Sequence, residues 1–151
     1  MTKLLNILLV EDDEVDIMNV QRAFKKNNIG NPLFIARNGL EALQMLRNEH
    51  EEKIPLIHII LLDINMPKMG GIEFLTEIRN DAALKAISVF VMTTSNEDGD
   101  KISAYNLNVA GYILKPLSFE SFVNSISVLS HYWHLCEQPI NPASAPENNQ
   151  D

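Results

Sequence analysis

Apolar runs of strand length alternate along this chain with segments whose apolar residues recur at helical spacing. Leu4 to Val10 is a near-continuous aliphatic run broken only by Asn6, and Val15, Met18, Ala23 and Phe24 follow at wider spacing up to Asn27 and Asn28. That pattern predicts a strand and then a helix. After a Gly30-Asn31-Pro32 turn, Leu33 to Ala36 predicts a short strand, and Leu40, Leu43 and Met45-Leu46 mark one face of a second helix. Ile57 to Leu62 is a run with the character of a strand buried on both faces, and a Met66 to Gly71 loop leads to a helix marked by Ile72, Phe74, Leu75 and Ile78. Ile87 to Met92 predicts a fourth strand and Gly111 to Leu114 a fifth. The helix between them is the poorest, with a thin apolar face of Ile102, Tyr105 and Leu107 and with Gly99 in its first turn costing about 1 kcal/mol relative to Ala. A last helix from about Ser118 carries Phe119, Phe122, Ile126, Leu129 and Trp133, and the Pro-punctuated polar segment Glu137 to Asp151 reads as disordered.

Five strand-helix pairs in strict alternation imply a parallel sheet with helices on both faces, a doubly wound α/β domain. Length supports one such unit: 151 residues, 46% of them hydrophobic, suffice for one well-buried core and leave no room for a second full domain. The formal net charge of -8 argues against nucleic acid and against an anionic membrane surface as partners. A single cysteine, Cys136, excludes an internal disulfide framework and a cysteine-rich zinc site. Neither a signal peptide nor an apolar stretch near the roughly 18 residues of a membrane span is visible, so a cytoplasmic chain is expected.

In doubly wound sheets function gathers outside the carboxyl ends of the strands. Glu11, Asp12 and Asp13 follow the first strand, Asp63 and Asn65 the third, Thr93, Thr94 and Ser95 the fourth, and Lys115-Pro116 the fifth. If strands one and three are neighbours, as in flavodoxin-like order 2-1-3-4-5, then Glu11, Asp12 and Asp63 converge. Carboxylates so close either rise in pKa or share a cation, and with oxygen ligands alone that cation is Mg²⁺ or a similar hard ion. Lys115 and Thr93 add donors for an incoming anion, which fits a phosphoryl group transferred to the carboxylate of Asp63 at the end of the most buried strand.

Val-Glu-Asp-Asp after strand one, Leu-Leu-Asp-Ile-Asn-Met-Pro around Asp63, Met-Thr-Thr-Ser after strand four and Gly-Tyr-Ile-Leu-Lys-Pro at strand five together resemble the receiver domain of two-component response regulators. The resemblance covers Leu4 to Ser130 and implies a receiver domain over 1–136 ahead of a tail over 137–151. It implies that Asp63 is the phosphorylated aspartate, Asp12 a direct Mg²⁺ ligand, and Glu11 an acid reaching the metal through water. It further implies that Asn65 ligates through its backbone carbonyl, Thr93 is the switch hydroxyl, Lys115 binds phosphate and Tyr112 is the switch aromatic. Asp13 reads as a helix-start residue, and the Lys115-Pro116 bond is expected to be cis. Thr94 stands where the family usually has a smaller residue and is expected to narrow access to the phosphoryl group.

The Met-Thr-Thr-Ser run and the aromatic end of the last helix, His131-Tyr132-Trp133-His134, are most similar to stand-alone regulators associated with bacterial phytochrome kinases. The implied partner is a sensor histidine kinase, with self-association through helix four, strand five and helix five also implied by the family. Other readings stay open at single residues. Acids after strands commonly cap helices, and Tyr112 alone reads as a half-buried strand aromatic. His58 reads as a core histidine, His131 and His134 as exposed, and only one of Tyr132 and Trp133 can face inward. A Mg²⁺-dependent aspartyl-phosphate phosphohydrolase is a rival, weakened because Asn65 stands where such enzymes carry an acid. A receiver-shaped module that is never phosphorylated is a second.

Overall fold

The computed structural model describes residues 5–137. Its elements follow the expected alternation: β1 Ile7–Val10, α1 Glu14–Lys26, β2 Leu33–Ala36, α2 Gly39–Leu46, β3 Ile59–Leu62, α3 Gly71–Arg79, β4 Ser88–Thr93, α4 Asp98–Asn106, β5 Gly111–Leu114 and α5 Phe119–Leu135. The strands form one parallel sheet in the order β2-β1-β3-β4-β5. Side-chain alternation divides the core into two layers. Leu8, Val10, Ile60, Leu62, Val89 and Val91 face α2, α3 and α4, while Ile7, Leu9, Ile59, Leu61, Phe90 and Met92 face α1 and α5. β1 and β3 are buried at every position because helices cover both of their faces.

The helix ends are set by local chemistry. Asp13 caps α1, its carboxylate accepting from the N–H groups of Val15 (2.8 Å) and Asp16 (3.2 Å). Asn38 and Ser118 cap α2 and α5 in the same way. Asn28, Asn48 and Asn108 take positive φ just past α1, α2 and α4, the conformation that closes a helix and that asparagine tolerates. α4 has no side-chain N-cap bond, and Ala104 is its one buried residue. Polar bonds hold its ends instead. Ser95 donates to Asp100 at 2.5 Å near the start, and the Arg79 guanidinium donates to the carbonyls of Leu107 (2.7 Å) and Asn108 (3.1 Å) at the finish.

Several expectations shift. β1 starts at Ile7 and β3 at Ile59, later than the apolar runs, because Leu5 and Ile57 are buried without joining the ladder. β4 is displaced by one residue and includes Thr93. Val15, Met18, Leu40, Ile102 and Tyr105 are exposed, and the buried face of α1 is Ile17, Val20, Ala23 and Phe24. The Lys115-Pro116 bond is trans, since no cis peptide occurs among the described residues, and trans is the lower-energy isomer even before proline. Trp133 is buried against Phe24 while Tyr132 is half-exposed, stacked edge-on against Phe90, so one of the two aromatics faces inward as expected. His58 is half-buried with Nδ1 accepting from the Asn6 N–H, and His131 and His134 are exposed. Apart from Glu137, the expected disordered tail lies outside the described residues.

Candidate functional site

The parallel ladder continues one residue past three of the strands, and that continuation fixes the site. The Glu11 N–H donates to Ala36 (3.0 Å), the Asp63 N–H to Val10 (3.1 Å) and the Lys115 N–H to Thr93 (2.8 Å). The backbones of two acids and one base are therefore held as firmly as the sheet itself. Close packing sets the exit of β3: Gly71 opens α3 so near the loop that a Cβ there would lie 2.7 Å from the Asp63 carbonyl oxygen and from the Ile64 Cα. Only a residue without a side chain fits unless that backbone moves.

Glu11, Asp12 and Asp63 each offer a carboxylate oxygen, and these atoms lie within 4.8 Å of one another. Glu11 and Asp63 are buried and Asp12 is exposed, so the group opens on one side to water. An all-oxygen set of this kind fits a hard divalent cation that retains several waters. The neighbouring base is Lys115, whose Nζ lies 2.7 Å from Glu11 Oε1, 2.7 Å from Asp16 Oδ2 and 3.6 Å from Asp63 Oδ2. Burial raises the pKa of Glu11 from 4.5 to about 7; the bond and charge of Lys115 oppose that rise and the charge of Asp63 adds to it. For Lys115 burial favours the neutral form, but the bonds to Asp16 and Glu11 and the charges of Glu11 and Asp63 outweigh it, so its pKa rises and the ammonium persists.

An open cleft of about 620 Å³ is lined by Glu11, Asp12, Asp63, Asn65, Thr94 and Lys115 among others. Asn65 is exposed at its edge, its N–H donating to Asp63 Oδ1 at 3.3 Å. Thr94 is exposed and lines the cleft. Thr93 is fully buried and lies outside the cleft lining, its hydroxyl accepting from the Ser95 N–H at 3.3 Å. Tyr112 is half-buried against the α3 and α4 layer, and its hydroxyl donates to the Ser95 carbonyl at 2.9 Å. Asp13 does serve as the cap of α1.

Two residues escaped the motif reading. Asp16 sits in the first turn of α1, where an acid reads as an ordinary dipole partner, and only the folded β5 to α5 turn brings Lys115 onto it. Ser95 is buried and joins three elements: its N–H meets Thr93, its hydroxyl Asp100 of α4 and its carbonyl Tyr112 of β5. Its place two residues after Thr93 was visible, but those partnerships depend on the fold.

The family model described as the response regulator receiver domain matches residues 7–127. The response regulator Rcp1 of Synechocystis sp. is 38% identical over 128 residues, which are 84% of this chain and 87% of that protein. The phosphorylated cyanobacterial phytochrome response regulator RcpA has a similar structure, with a TM-score of 0.85 at 33% identity over 91% of this chain and 100% of that one. The Mn²⁺-bound form of Rcp1 gives a TM-score of 0.82 at 36% identity, covering 90% of this chain and 99% of that one. With the receiver-domain model matched from β1 into α5 and these relatives similar over most of their length, the chain belongs to the response regulator receiver domain family, the signalling proteins of two-component systems.

Proposed function

We propose that this receiver domain works as a stand-alone regulator that accepts a phosphoryl group on Asp63 from the phosphohistidine of a sensor histidine kinase. The P–N bond to the donor imidazole breaks as a P–O bond to an Asp63 carboxylate oxygen forms, and the imidazole leaves neutral after taking up a proton. Glu11, Asp12, Asp63 and the backbone carbonyl of Asn65 would hold Mg²⁺, which balances charge on the transferring oxygens when bound. The observation that carries the reading is the meeting of Glu11, Asp12 and Asp63 with the Lys115 ammonium at one edge of the sheet. Phosphoryl transfer asks for positioning and charge stabilisation, and this site supplies both. The same groups would assist loss of the phosphoryl group to water.

Likeness to the phytochrome response regulator RcpA supports a phytochrome-type kinase as the donor. Output passes through Thr93 and Tyr112 to the surface of α4, β5 and α5, where Ile102, Tyr105, Val128, Tyr132 and Leu135 are exposed and support self-association. A net charge of -8 supports a protein partner over nucleic acid or an anionic membrane, and no helix among the described residues is long and apolar enough to cross a membrane. A cytoplasmic setting suits a partner kinase that presents phosphohistidine there. The test is labelling by acetyl phosphate with and without Mg²⁺. The native protein is expected to take label only with the metal and Asp63→Asn to take none; equal labelling of the two would refute Asp63 as acceptor.

A further inference from the structure

We propose that Asp16 is a positioning residue for Lys115, holding the ammonium so that its remaining proton is directed at the oxygens gathered on Asp63. The inference rests on the reading of Asp63 as phosphoacceptor and adds a residue to that site. A lysine ammonium has three donors at the end of a flexible four-carbon stem. Two of them are committed at 2.7 Å, to Glu11 Oε1 and Asp16 Oδ2, and Asp63 Oδ2 lies at 3.6 Å in reach of the third. Glu11 also belongs to the carboxylate group that fits a cation, so its bond to the lysine competes with that duty. Asp16 stands outside that group and is the Lys115 partner left with no other charge to serve. Its backbone is itself fixed, its N–H donating to the Asp13 carboxylate that caps α1.

The Asp16 to Lys115 pair also borders two spaces. Both residues line the open acidic cleft, and both line a smaller cavity of about 70 Å³ enclosed among α1, the β5 to α5 turn and the sheet. Without Asp16 the ammonium has room to turn away from Asp63. The plain alternative is an acid that merely complements the N-terminal dipole of α1. That role predicts a change in stability which does not depend on Lys115.

Initial rates of labelling by acetyl phosphate at saturating Mg²⁺ separate the two, measured on the native protein, Asp16→Ala, Asp16→Asn, Lys115→Ala and the Asp16→Ala/Lys115→Ala double variant. We expect Asp16→Ala to slow labelling about tenfold, the worth of one hydrogen bond between charged groups. Asp16→Asn should recover most of the rate because its amide oxygen accepts the same bond. In the Lys115→Ala background, Asp16→Ala should have no further effect. A second readout needs neither metal nor donor: the Lys115 ammonium should give a slowly exchanging ¹H–¹⁵N resonance in the native protein that is lost in Asp16→Ala. An equal loss of rate in both backgrounds, an unchanged rate, a faster rate in Asp16→Ala, or an ammonium signal indifferent to Asp16 would each overturn the inference alone. Absence of label on the native protein would overturn the Asp63 reading and this inference with it.

Discussion

Lys115 is the one base among four acids, and its removal exposes what it balances. Its side chain is 12% exposed and Glu11 is 3% exposed, so Lys115→Ala would leave Glu11, Asp16 and Asp63 to repel one another in a poorly solvated place. The expected cost is about 3 kcal/mol of stability in metal-free buffer, the size usual for breaking a buried pair from one side. Added Mg²⁺ should narrow the gap to the native protein, because a cation answers the same charges. Urea denaturation with and without Mg²⁺ measures both quantities, and a gap that did not respond to the metal would mean that the carboxylates do not share it. At this scale the sequence was informative wherever chemistry is declared by residue type beside a strand end. Glu11, Asp12, Asp63 and Lys115 each follow an aliphatic run and could be named before folding. Asp16 could not, because its partner is 99 positions away. The aim of the Thr93 hydroxyl toward Ser95 is likewise a product of the fold.

Elements differ in how firmly the fold holds them. The loop after β3 is pinned between the strand and α3, and Gly71 is the point of closest approach. Gly71→Ala would gain helix propensity yet press a methyl group onto the Asp63 and Ile64 backbone. The expected balance is a loss of about 2 kcal/mol with slower labelling of Asp63, read from denaturation curves and labelling rates. α4 is the opposite case. With one buried residue and no side-chain N-cap bond, it depends on Ser95 to Asp100 at one end and Arg79 at the other. Asp100→Ala should speed amide hydrogen exchange across α4 about tenfold while β4 stays protected. Uniform acceleration of both would show that α4 does not open as a separate unit. Strand and helix types were legible from periodicity, including the thin face of α4. Start points were less so, because Leu5 and Ile57 have strand character and are buried without pairing. The outward placement of Val15, Met18 and Leu40 shows the limit of counting apolar residues on a helix: the sheet, absent from the local pattern, decides which stripe faces inward.

For the whole molecule, a parallel sheet collects the ends of β1, β3 and β5 at one edge and leaves the surface of α4, β5 and α5 elsewhere. Ser95 ties the end of β4 to that surface, with bonds to Thr93, Asp100 and Tyr112. A movement of Thr93 would thus be felt at that surface through discrete hydrogen bonds. The doubly wound architecture was readable because alternation and crossover handedness leave few topologies, whereas the order of its strands came with the likeness to flavodoxin-like sheets. The trans Lys115-Pro116 bond was not, since local sequence leaves the two isomers close in energy. Central to the proposed function is a covalent phosphate on one particular carboxylate. Reducing the acetyl-phosphate-treated protein with borohydride converts an aspartyl phosphate to homoserine and a glutamyl phosphate to hydroxynorvaline, and peptide mass analysis then locates either. Homoserine at position 63, formed only when Mg²⁺ was present, is the result expected; homoserine at Asp12 or another aspartate, hydroxynorvaline at Glu11, or no reduced residue at all, would contradict it.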